Sequence, residues 1–198
     1  LAQDVAARHP GKTMLLDVKS SQLAVDLMVA SGADTQIWKT GHSHMKKRMG
    51  ETGAPLAGEM SGHIFIADGF YGFDDALYVA VRVVSQMVQS GQSITDFMDG
   101  LPPQHATPEL RIECADDQKF AVMERLSGIV ATKHDPQQVN TIDGVRVKVG
   151  DGWWLVRASN TEAALVARAE AGDAATLERL VSEIQTSLAL AGLDCSFD

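Results

Sequence analysis

The sequence predicts an α/β domain with a mixed, mostly parallel sheet, followed by an α+β domain whose antiparallel sheet is covered by helices. Three observations carry this expectation. Residues 1–103 alternate short apolar runs with segments of helical periodicity, as parallel strands joined by helices do. Residues 104–198 place consecutive strand-like runs around tight turns ahead of a long amphipathic stretch, which suits an antiparallel sheet covered from one side. Between them, the polar stretch around residues 100–108 holds Pro102, Pro103 and Pro108 and reads as a linker.

The elements follow in order. Leu1–Arg8 is expected to be helical and to end at Pro10-Gly11. Met14–Val18 is an apolar run suited to a buried strand. Ser20 and Ser21 are placed to cap a helix reaching Ala30, in which Leu23, Leu27 and Ala30 recur at helical spacing. Thr35–Trp38 reads as strand, Lys39–Gly41 as loop, and His42–Met49 as a short basic helix. Leu56–Gly58 and His63–Ala67 read as strands flanking a Glu59-Met-Ser61 turn. Asp74 and Asp75 favour a helix start over a metal pair, and that helix is expected to run through Val88. In the second part, Leu110–Cys114 reads as strand and Gln118–Leu126 as helix. Gly144–Val149 and Trp153–Ala158 read as strands around a Gly150-Asp-Gly152 turn. Ala164–Glu170 follows as strand, and Thr176–Ala191 as helix.

The totals exclude several classes. The 198 residues are 45% hydrophobic and 22% charged, an ordinary globular balance. A net charge of −9 speaks against nucleic acid as the partner, because a phosphate backbone needs a basic face. No apolar run approaches the roughly 18 residues of a membrane span, so no membrane partner is expected. Two widely spaced cysteines, Cys114 and Cys195, fit no metal spacing and suggest a reduced, cytoplasmic setting. The chain begins at Leu1 within a helical pattern, so a later part of a longer polypeptide is expected.

Chemistry concentrates in three places. Arg157-Ala-Ser-Asn-Thr161 joins a guanidinium to hydroxyl and carboxamide donors, which suits phosphate oxygens. A loop of this kind between two strands can also aim successive N–H groups at an anion. Ser-Asn-Thr is equally common as turn chemistry that caps its own backbone, and both readings stand. Gly58-Glu-Met-Ser-Gly-His63 sets the Glu59 carboxylate beside the Ser61 hydroxyl, so that one accepts and the other donates to a sugar hydroxyl. A plain hairpin turn is the competing reading, with His63 a structural residue at a strand start. Lys19, Lys39 and His42 lie in loops after expected strands, where α/β sheets bind ligands. His42 titrates near neutrality and suits an acid, a base or a phosphate contact. The basic run Lys46-Lys47-Arg48 reads as a solvated helix face. Nucleotide-type glycine loops, dinucleotide fingerprints, zinc spacings and activated nucleophiles are absent from the sequence.

In chain order, Asp17-Val-Lys19, Trp38-Lys-Thr-Gly-His-Ser43, Lys46-Lys47, Gly58–His63, Phe70-Tyr-Gly-Phe-Asp-Asp75, Thr107-Pro-Glu109, Asp143-Gly-Val-Arg146, Trp153 and Arg157–Thr161 resemble the α-D-phosphohexomutases of the bacterial phosphomannomutase/phosphoglucomutase type. Met60 also matches that type, where phosphoglucosamine mutases usually carry glutamine. The resemblance implies the third and fourth of four domains. It implies a hexose phosphate as ligand, with Glu59 and Ser61 at the sugar 3- and 4-hydroxyls and His63 nearby. Lys19 and His42 would line the cleft near the reacting end, and Arg157, Ser159, Asn160 and Thr161 would clamp the phosphate that is not transferred.

The resemblance further implies a phosphoserine, a Mg²⁺ ion and a glucose 1,6-bisphosphate-type intermediate or activator in the full-length enzyme. The serine and the metal ligands would lie on N-terminal domains missing from this sequence, which itself supplies no metal ligand. By that reading the chain alone does not catalyse the reaction. A stand-alone, non-catalytic sugar-phosphate binding or regulatory module is the alternative. Glu162 departs from the family pattern, which usually has an uncharged residue there, and is expected to face solvent.

Overall fold

The structure, a computed structural model, describes residues 1–197. It divides into two compact units, Leu1–Pro102 and Pro103–Asp198.

In the first unit, helix α1 (Ala2–Arg8) leads into strand β1 (Thr13–Asp17), helix α2 (Gln22–Ala30) and strand β2 (Asp34–Trp38). Helix α3 (His42–Thr52) connects to strand β3 (Leu56–Gly58), and a turn leads to strand β4 (Ile64–Ile66). Helices α4 (Ala76–Ser90) and α5 (Ile94–Asp99) complete it. The sheet order is β2-β1-β3-β4, with β1 parallel to both β2 and β3, and β4 antiparallel to β3. Alternation along β1 feeds two cores. Met14 and Leu16 pack with Val5, Ala6 and Met28 of α1 and α2, whereas Leu15 packs with Met45 and Met49 of α3. The sheet is therefore covered on both faces, and its carboxyl edge opens into the loops that follow β1, β2 and β3.

Strand β5 (His105–Ala106) opens the second unit, followed by β6 (Leu110–Glu113) and helix α6 (Lys119–Lys133). A 3₁₀ turn at Pro136–Gln138 precedes β7 (Val139–Asn140), β8 (Val145–Val149), β9 (Gly152–Ala158), β10 (Ala164–Ala171) and helix α7 (Ala174–Leu190). All pairings in this sheet are antiparallel, in the order β5-β10-β9-β8-β7, with β6 also on β10. One sheet face, including Trp154, Val156, Leu165 and Ala167, packs with Val122, Leu126 and Val130 of α6 and Leu180, Ile184 and Leu188 of α7.

Several expectations need correction. The polar stretch around residues 100–108 contains a short strand, and α5 precedes it, capped by the reciprocal Ser93–Asp96 hydrogen bonds. Helix α6 runs seven residues past Leu126, because Val130 continues its buried face. His63 lies just before β4 and not within it, whereas Arg157 and Ala158 end β9 as the strand reading of Trp153–Ala158 places them. Among the described residues no helix is long and apolar enough to cross a membrane.

Candidate functional site

The first unit presents its polar groups at the carboxyl ends of β1, β2 and β3, where loops diverge from neighbouring parallel strands and leave room for a ligand. Residues Glu59 to Gly62 form a tight turn. The Glu59 N–H donates to His63 O at 2.9 Å, and the Gly62 N–H donates to Glu59 O at 2.9 Å. Gly62 sits at φ 91°, a conformation that only glycine adopts readily. Glu59 is buried, and its carboxylate is held from two sides. Its Oε1 accepts the Gly41 N–H at 2.6 Å from the β2–α3 loop, and its Oε2 accepts the Ser61 hydroxyl at 3.2 Å. Each oxygen retains a further lone pair, and the Ser61 oxygen can still accept. The pair can thus meet a hydroxyl that both donates and accepts.

The other residues singled out in this unit divide. Lys19 is buried two residues past the end of β1, while His42 is exposed as the first residue of α3 and Lys39 is exposed directly after β2. His63 is exposed, and its Nδ1 lies 2.9 Å from Asp74 Oδ2. Lys46 reaches Asp74 Oδ1 at 3.6 Å, so part of the basic run turns toward the loop after β4. Burial alone would raise the Asp74 carboxyl, but its own backbone hydrogen bond, the His63 contact and the Lys46 charge outweigh it and hold the group below the usual carboxylate range. Asp75 caps α4 by accepting the Tyr78 N–H at 2.9 Å.

In the second unit Arg157 lies on β9, on the sheet face opposite the helices, and is 6% exposed. Its Nε and one Nη donate to the two oxygens of Asp143 at 3.2 and 3.3 Å. Gly144 makes this approach possible. At φ 84°, a Cβ there would lie 2.4 Å from Val156 O and 2.5 Å from Arg157 Cβ. On the same face the Arg146 guanidinium stacks on Trp153 at 3.7 Å, and Trp153 Nε1 donates to Glu170 at 3.2 Å.

The loop after β9 folds back on itself. The buried Ser159 hydroxyl accepts N–H groups from Thr161 at 3.4 Å and Glu162 at 3.2 Å, while Asn160 and Thr161 are exposed. Ser159 therefore caps its own turn, and those two N–H groups point at its oxygen. Below the loop, the buried Lys119 ammonium donates to Ser159 O at 2.8 Å and Glu162 O at 3.1 Å and pairs with Asp116 at 2.7 Å. Its three protons are all used, so it holds the loop while placing a positive charge beneath it. The Glu162 side chain is about half exposed and is paired with Arg111, turned outward as expected.

Sequence reasoning assigned no role to Asp17, Asp143 or Lys119. Asp143 sits two residues from the Val145 strand start, a local signal. Lys119 is 40 residues from the carbonyl it holds, and no local pattern marks it. Among the described residues no group of three or more His, Cys, Asp or Glu side chains could hold a metal ion. These residues therefore do not fit the implied Mg²⁺. A cavity of about 410 Å³ lies elsewhere in the first unit, lined by Leu1, Met87, Ile94 and Phe97 among others, and contains none of the site residues.

Comparisons with known proteins agree with one another. Residues 1–105 match the family model for phosphoglucomutase/phosphomannomutase, alpha/beta/alpha domain III, and residues 109–187 match that for the phosphoglucomutase/phosphomannomutase C-terminal domain. A phosphomannomutase/phosphoglucomutase of Pseudomonas putida is 42% identical over 187 residues, covering 94% of this chain and 40% of that protein. A phosphoglucomutase of Neisseria gonorrhoeae is 40% identical, over 90% of this chain and 39% of its own length. The crystal structure of a phosphoglucomutase/phosphomannomutase family protein from Burkholderia thailandensis superposes with a TM-score of 0.89 at 36% identity, covering 99% of this chain and 42% of that one. The chain thus spans about 40% of the length of the curated relatives it matches.

Proposed function

We propose, from the premise that this chain belongs to the phosphoglucomutase/phosphomannomutase family, that it is the substrate-holding part of a mutase interconverting hexose 1-phosphates and hexose 6-phosphates. The observation that carries the reading is the Glu59–Ser61 turn, a buried carboxylate fixed by a backbone N–H with a hydroxyl beside it. Such a pair suits the vicinal ring hydroxyls of a sugar. It disfavours ligands lacking them, because the remaining lone pairs of the buried Glu59 carboxylate would lose water without gaining a donor. Arg157, Ser159, Asn160 and Thr161 suit the phosphate end. Asp143 neutralises part of the Arg157 charge and fixes its plane, leaving the remaining guanidinium N–H groups for phosphate oxygens.

In the proposed scheme a phosphoserine on a domain outside this chain transfers its phosphoryl group to a sugar hydroxyl. The serine O–P bond breaks as the sugar O–P bond forms, and the hydroxyl proton passes to a base. The bisphosphosugar turns around, and its other phosphoryl group returns to the serine. Through both halves this chain's task is to hold a ring presented in two directions. Contacts to the 3- and 4-hydroxyls tolerate that exchange. They are also blind to C2, where glucose and mannose differ, so both sugars are accepted.

Titration of the chain with glucose 6-phosphate and with inorganic phosphate tests the division of labour. Arg157→Ala weakens both ligands, by about 10–100-fold for loss of a charge-assisted bidentate contact. Glu59→Gln weakens glucose 6-phosphate about tenfold and leaves inorganic phosphate unchanged. Equal loss of both ligands in Glu59→Gln contradicts the assignment.

A further inference from the structure

Asp17 ends β1 and is completely buried, yet it is a carboxylate. Its Oδ1 accepts the Ser20 hydroxyl at 2.6 Å and the Met60 N–H at 3.1 Å, and its Oδ2 accepts the Thr40 hydroxyl at 3.1 Å. The three donors come from three loops, those after β1, β3 and β2. A buried carboxylate is tolerated only when donors fill its oxygens, so the charge and the loops depend on one another. An aliphatic residue here would extend β1 equally well but would orphan the Met60 N–H.

Two routes lead from Asp17 to Glu59. One is direct, because Met60 follows Glu59 and its N–H is fixed from below. The other passes through Thr40 to Gly41, whose N–H donates to Glu59 Oε1 at 2.6 Å. The loop carrying the carboxylate and the loop that clamps it therefore share one anchor. We propose that Asp17 is a positioning residue that locks these loops before the ligand arrives, so that Glu59 meets the sugar hydroxyls without rearrangement. This rests on the reading of Glu59 as the hydroxyl reader. Preset geometry raises affinity by removing the ordering cost of binding.

The test uses the 198-residue chain, amide hydrogen exchange and titration with glucose 6-phosphate. In Asp17→Ala, exchange at Met60 and Gly41 rises at least about tenfold while the second unit is unchanged, and glucose 6-phosphate binds about tenfold more weakly. Asp17→Asn largely restores both, because its amide oxygen still accepts from Ser20 and Met60 while its amide nitrogen donates to the Thr40 hydroxyl. If Asp17→Asn is as damaging as Asp17→Ala, the charge and not the anchoring matters, and the proposal fails. It also fails if Asp17→Ala leaves Gly41 exchange and affinity unchanged. Should Asp17→Ala not fold, Thr40→Val decides in its place: faster Gly41 exchange with weaker binding supports the anchor, and no change overturns it. Glu59→Gln separates the two claims. If that variant binds glucose 6-phosphate normally, the hydroxyl reading falls, while the exchange rates still decide whether Asp17 holds the loops.

Discussion

Glu59 and Arg157 are both buried charges, and each is made tolerable by a partner from another segment. Glu59 takes a backbone N–H from the next loop, and Arg157 takes a carboxylate from the β7–β8 connection. Both were legible in the sequence because their chemistry is compressed into five or six residues. The residues that hold the surrounding loops were not, because Gly41, Asp17 and Lys119 reach partners 18 to 43 positions away. Only the fold brings such pairs together. Gly144 shows the same limit. In the sequence it is one more turn residue, yet its missing Cβ is what lets Asp143 close on Arg157. Gly144→Ala combines a disfavoured φ with a backbone clash, so it is expected to destabilise the second unit by about 2 kcal/mol or more and to weaken phosphate binding together with it. Chemical denaturation of wild type and variant checks the first part, and a phosphate titration checks the second.

At the scale of elements, the strands and helices with clear periodicity stand where the pattern puts them, within a few residues. The exceptions have physical reasons. Helix α6 continues past Leu126 because Val130 keeps its face against the sheet, although Gly128 looks like a break. Helix α5 is only six residues long and carries no buried residue, so its cap defines it more than its pattern does. A different signal fixes how α1 meets α4. Asp68 accepts from Arg8 at 2.5 Å, His9 at 2.8 Å and Arg82 at 2.9 Å. Burial would raise its carboxyl, but those hydrogen bonds and the two guanidinium charges outweigh it and hold it below the ordinary range. Its folded-state value is thus depressed. The stabilisation is complete above the unfolded carboxyl value of about 4 and is lost as pH falls through the lower folded value. Thermal unfolding between pH 6 and pH 2 should show Asp68→Asn less stable than wild type at pH 6, with the gap closing toward pH 2. A constant gap contradicts this.

At the scale of the molecule, each unit owns its core: the second-unit cluster draws only on residues between Leu110 and Phe197, and both first-unit clusters stop before residue 67. Cleavage within the exposed stretch 102–104 should therefore leave two folded pieces, each keeping its helical circular dichroism, whereas loss of signal from either piece shows a shared core. The division into an α/β and an α+β part was readable because strand spacing changes from alternation with helices to strand after strand. The most direct measurement of sugar reading by Glu59 is residue-resolved. Amide shifts of the chain are followed during titration with inorganic phosphate and then with glucose 6-phosphate. Phosphate should move residues 157–161 alone, and glucose 6-phosphate should move residues 59–61 as well. If the sugar phosphate leaves 59–61 unmoved, or inorganic phosphate moves them equally, the chain does not read the sugar through Glu59.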